Sequence, residues 1–279
     1  MALSLRAGSA LVWSDPQPFE PDDQLRIYHR EMLTPFGIEV DEELLRRSSN
    51  VGFPELAEAA LRGMTHPIVN PDLLILAYGL PDIYPLKSTT SYLNHLLGGG
   101  SRSFAVSEQG LRAPFTALHI ADAFVRAGRY ASLALFVCDQ TTLPYHDPVV
   151  HDTPLVDSAA VLYFDNTADA AFRFAGTTRA AAGPEAAIKP YLSCVDPERM
   201  LLVVGPWVPE QPVESLVPHI HRVEPGTYCT SVWLALARHH ERWAQDFDAL
   251  VLCDTDPRTG ISQAALLHHV PSAVEEPRR

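Results

Sequence analysis

The chain has 279 residues, enough for one large core or two fused halves, and its 47% hydrophobic and 20% charged residues exclude a disordered polymer. A formal net charge of −13, with Lys87 and Lys189 the only lysines, leaves no basic block for a phosphate backbone and excludes nucleic acid as an expected partner. No apolar run reaches the roughly eighteen residues that span a bilayer, Met1 to Trp13 is too short and interrupted for a signal peptide, and Cys138, Cys194, Cys229 and Cys253 form no CxxC pair, so the expectation is a cytoplasmic chain with free thiols, no membrane contact and neither a zinc knuckle nor a disulfide framework.

Leu3 to Trp13 has strand-like apolar content, and the proline-rich PQPFEP that follows must be an irregular connection. Asp22 to Leu45 alternates helical and turn signals. Phe53 to Met64 has helical spacing with Leu56, Ala60 and Leu61 inward, and Asn70-Pro71 ends the loop before the strand Leu73 to Ala77. That unbroken apolar run predicts a strand covered on both faces. Tyr78 to Tyr84 reads as a loop, Ser88 to Leu97 as a helix, and Gly98-Gly99-Gly100 as its end.

The stretch Phe104 to Gly128 organises the rest: a short strand, a tight Gln109-Gly110-Leu111 elbow, and a buried helix over 112–127. Pro114 falls in its first turn, Phe115, Leu118, Ala121 and Val125 share one face, and Gly128 supplies a left-handed cap. The small residues Ala117, Ala121 and Ala123 leave room for a second backbone. A side chain at the first position of such a helix meets the positive end of its dipole, a place that favours a thiolate nucleophile; here that residue is Leu111. Tyr130 to Cys138 is another buried strand, 140–156 a long polar excursion, and Ser158 to Phe164 a strand again, so the class is α/β.

The second half repeats this grammar. Leu73 to Ala77 recurs as Leu201 to Gly205, Ala117-Leu118 as Ala235-Leu236, Ala134 to Asp139 as Ala249 to Asp254, and Ala159 to Leu162 as Ala264 to Leu267, with offsets of 128, 118, 115 and 105. One order is kept while the loops shorten. An internal duplication predicts that the central helices, 112–127 and about 229–242, pack against each other between two sheets, with a crevice at their N-termini.

That plan, with particular residues, resembles the thiolase superfamily and within it the ketoacyl synthase III branch. There a strand and a Gln-Gly-Cys or Ala-Ala-Cys elbow lead into a helix like ALxxADAFIRSG, similar to Ala117 to Gly128 here. The family's DLIIVATxTPDYLFPSTA looks like Asp72 to Ser88, and its GDGAGA strand looks like Val156 to Ala160. The resemblance implies one thiolase-like domain over 1–279, with pseudo-repeated halves of about 1–168 and 169–279 in a layered α-β-α-β-α arrangement.

The departures carry the functional expectation. The family works with a Cys-His-Asn triad, the cysteine holding the acyl group while His and Asn stabilise the developing enolate. The cysteine position is Leu111; the VPHQAN stretch is best matched by Val208 to Pro212, putting Glu210 at the histidine; the GNTSAAS stretch is best matched by Gly226 to Val232, putting Gly226 at the asparagine; and the C-terminal glycine run is replaced by Asp254 to Arg258. Leucine forms no thioester and a carboxylate repels an enolate.

The resemblance therefore implies a subunit without chemistry of its own. Thiolase-fold enzymes are dimers, and some are unequal pairs with a short cysteine-less subunit, as in the bacterial 2-alkylquinolone-forming condensing enzyme. The expected partner is a catalytic ketosynthase III-like chain, or a second copy in a homodimer. Acyl carrier protein or CoA thioester would be engaged through that partner, since this chain's acidity disfavours an acidic carrier. No cofactor is implied. The alternative is an independent acyltransferase or decarboxylase with relocated residues, for which Cys229 at the second helix and Glu108 and Ser107 before the elbow are the candidates. The pairs His146-Asp147 and His151-Asp152, and His219 and His221, lack a metal-site spacing and read as solvated or interface loop, and His239-His240 as dipole-complementing residues. The strand at about 101–107 is expected near the dimer seam, with Tyr84, Leu86, Tyr92, Leu143, Tyr145, Val149 and Val150 as exposed apolar interface candidates.

Overall fold

A computed structural model describes residues 2–167, 170–209 and 213–269. In the N-terminal half β1 (Ser4–Val12), β2 (Leu73–Tyr78), β3 (Arg102–Val106), β4 (Ser132–Asp139) and β5 (Ser158–Asp165) are accompanied by α1 (Asp23–Leu33), α2 (Glu42–Arg47), α3 (Phe53–Arg62), α4 (Thr89–Leu96), α5 (Ala113–Arg126) and the single turn α6 (Pro148–His151). The C-terminal half carries β6 (Phe172–Ala180), α7 (Pro184–Ile188), β7 (Met200–Val204), β8 (His219–Arg222), α8 (Ser231–Asp246), β9 (Ala249–Thr255) and β10 (Ser262–His269).

The ten strands lie in the order β3-β2-β4-β5-β1-β6-β10-β9-β7-β8. Read from either end, the succession of parallel and antiparallel neighbours is the same: β2 is parallel to β3 and β4, β7 is parallel to β8 and β9, and β4 with β5 matches β9 with β10 in being antiparallel. The halves are pseudo-repeats joined where β1 meets β6, through only Ser4 with Arg173 and Leu5 with Phe172. All four internal sequence matches fall on corresponding elements: β2 with β7, α5 with α8, β4 with β9 and β5 with β10.

Period-2 alternation sorts each strand's side chains between two cores. Leu73, Ile75 and Ala77 of β2 and Leu201 and Val203 of β7 enter one central core, whereas Leu74 and Leu76 face an outer core under α3 and α4, and Leu202 and Val204 face another against α7. Both faces are buried, hence the unbroken apolar runs. The two five-stranded halves of the sheet, with helices outside and between them, give the α-β-α-β-α layering.

α5 and α8 form the middle layer. Phe115 of α5 meets Trp233 of α8 edge to face, 4.9 Å between ring centroids. α8 is buried on every side from Ser231 to Ala237, as an interior helix must be. Each central helix also contacts the other half's sheet: α5 touches β6 and β10, and α8 touches β1 and β5. Gly8 of β1 makes the second contact possible, since a Cβ there would fall 2.8 Å from the Cα of Ala237. Ala117 and Ala121 are buried in this layer, but Ala123 faces outward and serves no packing role. Gly128 takes φ +68° and ends α5.

Two elements depart from the sequence reading. Residues 219–222, whose histidines read as loop, form the edge strand β8, and the sequence does not announce β6 because its apolar alternation stops after Phe174. Both strands are recruited by tertiary pairing, β6 along the whole of β10.

Candidate functional site

The elbow at the N-terminus of α5 is built from unusual backbone. Glu108 takes φ +61° and Gly110 φ +55°, turning the chain sharply from β3 through a 3₁₀ turn at Gly110–Arg112 into the helix. Leu111 is 1% exposed and joins the central core, so the position that faces a substrate in a nucleophile elbow points apolar surface into protein.

Its backbone N–H is occupied as well. Leu111 N donates to Oδ2 of Asp256 at 3.1 Å, and the Tyr228 hydroxyl donates to the same oxygen at 3.0 Å. Asp256 Oδ1 accepts from the N–H groups of Arg258 and Thr259 at 2.9 and 3.0 Å. Burial, then the Asp256 charge, raises the Tyr228 pKa far above its ordinary value and keeps the phenol protonated as a donor. The ring of Tyr228 lies against Gly79, where a Cβ would sit 2.7 Å from Cε1. A plug of tyrosine and aspartate thus fills the elbow.

The facing N-terminus of α8 is held by a pair of buried carboxyls from the pseudo-equivalent strand ends. Asp139, the last residue of β4, accepts at Oδ2 from the N–H groups of Tyr228 and Thr230 at 3.1 and 2.8 Å and from the Thr230 hydroxyl at 3.0 Å, while its Oδ1 is buried without a partner. Asp254, the penultimate residue of β9, accepts from the Ser231 hydroxyl at 2.5 Å and the Thr255 N–H at 2.8 Å. Burial raises Asp139 to about 6 and Asp254 to about 7, against the hydrogen bonds that pull both down.

A crevice of about 720 Å³ opens beside the elbow, reached by Glu108, Gln109, Gly110, Arg112, Asp256 and Arg258. None of these is a nucleophile held by a base. Cys229 is fully buried, and burial followed by the charge of Asp139 drives its pKa well above the ordinary thiol value, the opposite of the thiolate anticipated at a helix N-terminus. Ser107 is half-buried outside the crevice lining, and Glu108 is exposed on its rim. Gly226 (φ +124°) lies in the approach to α8, its carbonyl accepting from Val156 N at 2.8 Å. Glu210 lies outside the described residues. Among the described residues no group of three or more His, Cys, Asp or Glu side chains converges as metal ligands, and no helix is long and apolar enough to cross a membrane.

The interface candidates divide. Leu86 and Tyr92 are 62% and 38% exposed, while Tyr84, Tyr145 and Val149 are half-buried. Leu143 and Val150, expected on the surface, are 1% and 6% exposed in the central core. The excursion turns its apolar side inward because Thr142 Oγ1 accepts from Asn50 N, the Pro144 carbonyl accepts from Asp41 N, and Arg258 pairs with Asp147 at 2.8 Å, tying it down beside the elbow. β3 pairs with β2 on one side and ends the sheet on the other.

Solved structures supply a likeness to this architecture. Superposition on 3-oxoacyl-(acyl carrier protein) synthase III, FabH, of Pseudomonas aeruginosa PAO1 gives a TM-score of 0.66 over 98% of this chain and 100% of that one, at 14% identity. A variant of OleA from Xanthomonas campestris gives 0.65 over 96% and 98%, at 14% identity. The chain has the thiolase fold. A third example, 3-oxoacyl-[acyl-carrier-protein] synthase III of Aquifex aeolicus VF5, gives 0.57 over 96% and 100%, again at 14% identity. No family model matches the sequence, and no curated protein does. Within this thiolase fold, Tyr228 and Asp256 are the residues that sequence reasoning missed. Asp256 stands in the Asp254 to Arg258 segment that the resemblance sets against a glycine run, and its two carboxylates were the available signal.

Proposed function

We propose that this chain is a non-catalytic, ketosynthase III-like subunit that pairs with a catalytic ketosynthase III-like chain in the biosynthesis of a fatty acyl, polyketide or other secondary metabolite. The observation that carries the reading is the plugged elbow: Leu111 is buried, its N–H is taken by Asp256, and Tyr228 occupies the space beside it. An acyl group has no atom there to attack it and no open donor to stabilise an oxyanion. Catalysis, carrier docking and thioester binding then belong to the partner. Pairing is supported by the open edge of β3 and by the exposed Leu86 and Tyr92, the latter on α4 beside that edge.

Intact-mass measurement of the purified chain after incubation with acyl- and malonyl-thioesters tests the first half of this reading. No adduct is expected; a covalent acyl group on any residue, above all one lost on mutating Cys229, establishes the independent acyltransferase instead. Native mass spectrometry of the chain purified from its host tests the second half. A second, longer condensing-type chain is expected in the complex, and Leu86→Glu with Tyr92→Glu should abolish co-elution while the far-UV spectrum is unchanged. A partner fully active without this chain, or a chain recovered only as a homodimer, ends the subunit reading.

A further inference from the structure

The crevice at the elbow adjoins a second compartment of about 750 Å³, whose lining includes none of Glu108, Gln109, Gly110 or Asp256. It lies between the segment that carries α1 and the 81–87 loop, and its size suits a small organic ligand. Its chemistry is uneven. Five carboxyl groups, Glu20, Asp22, Asp23, Glu55 and Asp82, line it against a single ammonium, that of Lys87. His29 adds no cation, because burial lowers its pKa.

Two of the carboxyls are committed within the fold. Asp22 caps α1, and Asp82 accepts from Phe53 N at 3.0 Å and from the Thr89 hydroxyl at 3.2 Å. Glu20 and Glu55 are exposed and lie near Tyr84, whose hydroxyl pKa is raised by burial and then by the charges of Glu55, Asp82 and Glu20. A Cβ at Gly52 would fall 2.5 Å from Tyr84 Cδ2 and 2.9 Å from Glu55 Oε2, so glycine lets the ring and the carboxylate meet over bare backbone. The Lys87 ammonium sits 3.7 Å from the centroid of that ring. One of only two lysines in the chain therefore marks a place where an aromatic face and surrounding carboxylates hold a positive charge.

We propose that the outer compartment binds a small amphiphilic organic cation, an alkyl or arylalkyl amine. Its ammonium takes the place of Lys87 over Tyr84, near Glu20 and Glu55, and its apolar body lies against Tyr28 and Met32. Tyrosine faces and carboxylates recognise ammonium together, whereas a carboxylate or phosphorylated thioester would face repulsion from the same lining. Leu86, assigned above to pairing, also lines this compartment, so the site is tested on the chain without its partner.

Octylamine, octanol and octanoate, matched in chain length, are titrated calorimetrically into the full chain at pH 7.5 below their aggregation concentrations. The amine should bind about tenfold or more tighter than the alcohol, and octanoate should not bind. Glu20→Gln and Glu55→Gln should each weaken the amine about three- to tenfold without changing the alcohol, both residues being exposed and the variants folded by circular dichroism. Lys87→Met should tighten the amine by a similar factor, since the internal competitor is gone. Failure of the amine to bind, equal binding of amine and alcohol, preferred binding of octanoate, or an unchanged or weakened amine in Lys87→Met overturns the assignment.

Discussion

Replacing Asp254 by asparagine should remove a pH dependence of stability that this carboxyl imposes. Asp254 is 0% exposed, and burial of the charged form raises its folded pKa from the ordinary aspartate range to about 7. A raised acid pKa means that the protonated form is favoured in the folded state. Its stabilising contribution is full below about 4, in the unfolded range, and is lost as pH rises through about 7. At about 1.4 kcal/mol per pKa unit, the loss between pH 5 and pH 7.5 is about 2–3 kcal/mol for Asp254; for Asp139, raised only to about 6, it is about 1 kcal/mol. The histidines whose pKa is lowered by burial, His240 among them, act in the opposite sense, because they resist charging as pH falls. The readout is therefore a difference: urea unfolding of the parent, Asp254→Asn and Asp139→Asn at pH 5 and pH 7.5. The parent should lose stability relative to Asp254→Asn by about 2–3 kcal/mol over that interval, and by about half as much relative to Asp139→Asn. A parent-minus-variant difference that is flat with pH would mean that both carboxyls stay ionised, their hydrogen bonds to Ser231, Thr230 and Tyr228 N having offset burial, and would refute the argument.

Leu111→Cys should not restore acylation, because the thiol would sit buried beside the Asp256 carboxylate; thiol titration and intact mass should show an unreactive cysteine, and the lost core volume should cost about 2 kcal/mol in a thermal melt. Gly110→Ala puts a methyl group into the Asp256 carboxylate and 2.6 Å from the Tyr228 hydroxyl at a φ of +55°, so it should destabilise by about 3 kcal/mol in urea unfolding and weaken the near-ultraviolet tyrosine circular dichroism. Trp233→Ala should cost about 3–5 kcal/mol and lower the melting temperature by about 10 °C, whereas Trp233→Phe should cost less, since the indole Nε1 has no hydrogen-bond partner to lose.

The sequence carried the architecture where one residue pattern had one physical meaning. Leu73 to Ala77 and Leu201 to Val204 are apolar without interruption because both faces of their sheets are covered, and Pro114 and Gly128 bracket α5 as first-turn proline and left-handed cap. What it did not carry is set by contacts distant in the chain. Tyr228 and Asp256 meet Leu111 only after the two halves have docked, and nothing local distinguishes a tyrosine that plugs an elbow from one that lies in a loop. Leu143 and Val150 sit in a segment rich in proline, histidine and aspartate, so composition pointed to solvent, whereas hydrogen bonds to Asn50 and Asp41 fold it inward. Cys229 lies at the start of an interior helix rather than at an open N-terminus, and burial outweighs the dipole there.

The packing of α8 on strands of the other half has a consequence for how the protein is made. During synthesis α5 is complete long before β6 and β10, the strands of the other half that it touches, have left the ribosome, while β1 waits for α8. The N-terminal half can seat α5 on β2, β3 and β4 as it emerges, but β1 and β5 wait for α8, so the central core closes last. The contacts of α8 with β1 and of α5 with β10 join residues more than a hundred positions apart, which slows folding and leaves the α8-facing side of β1 and β5 open to chaperones and to self-association until α8 arrives.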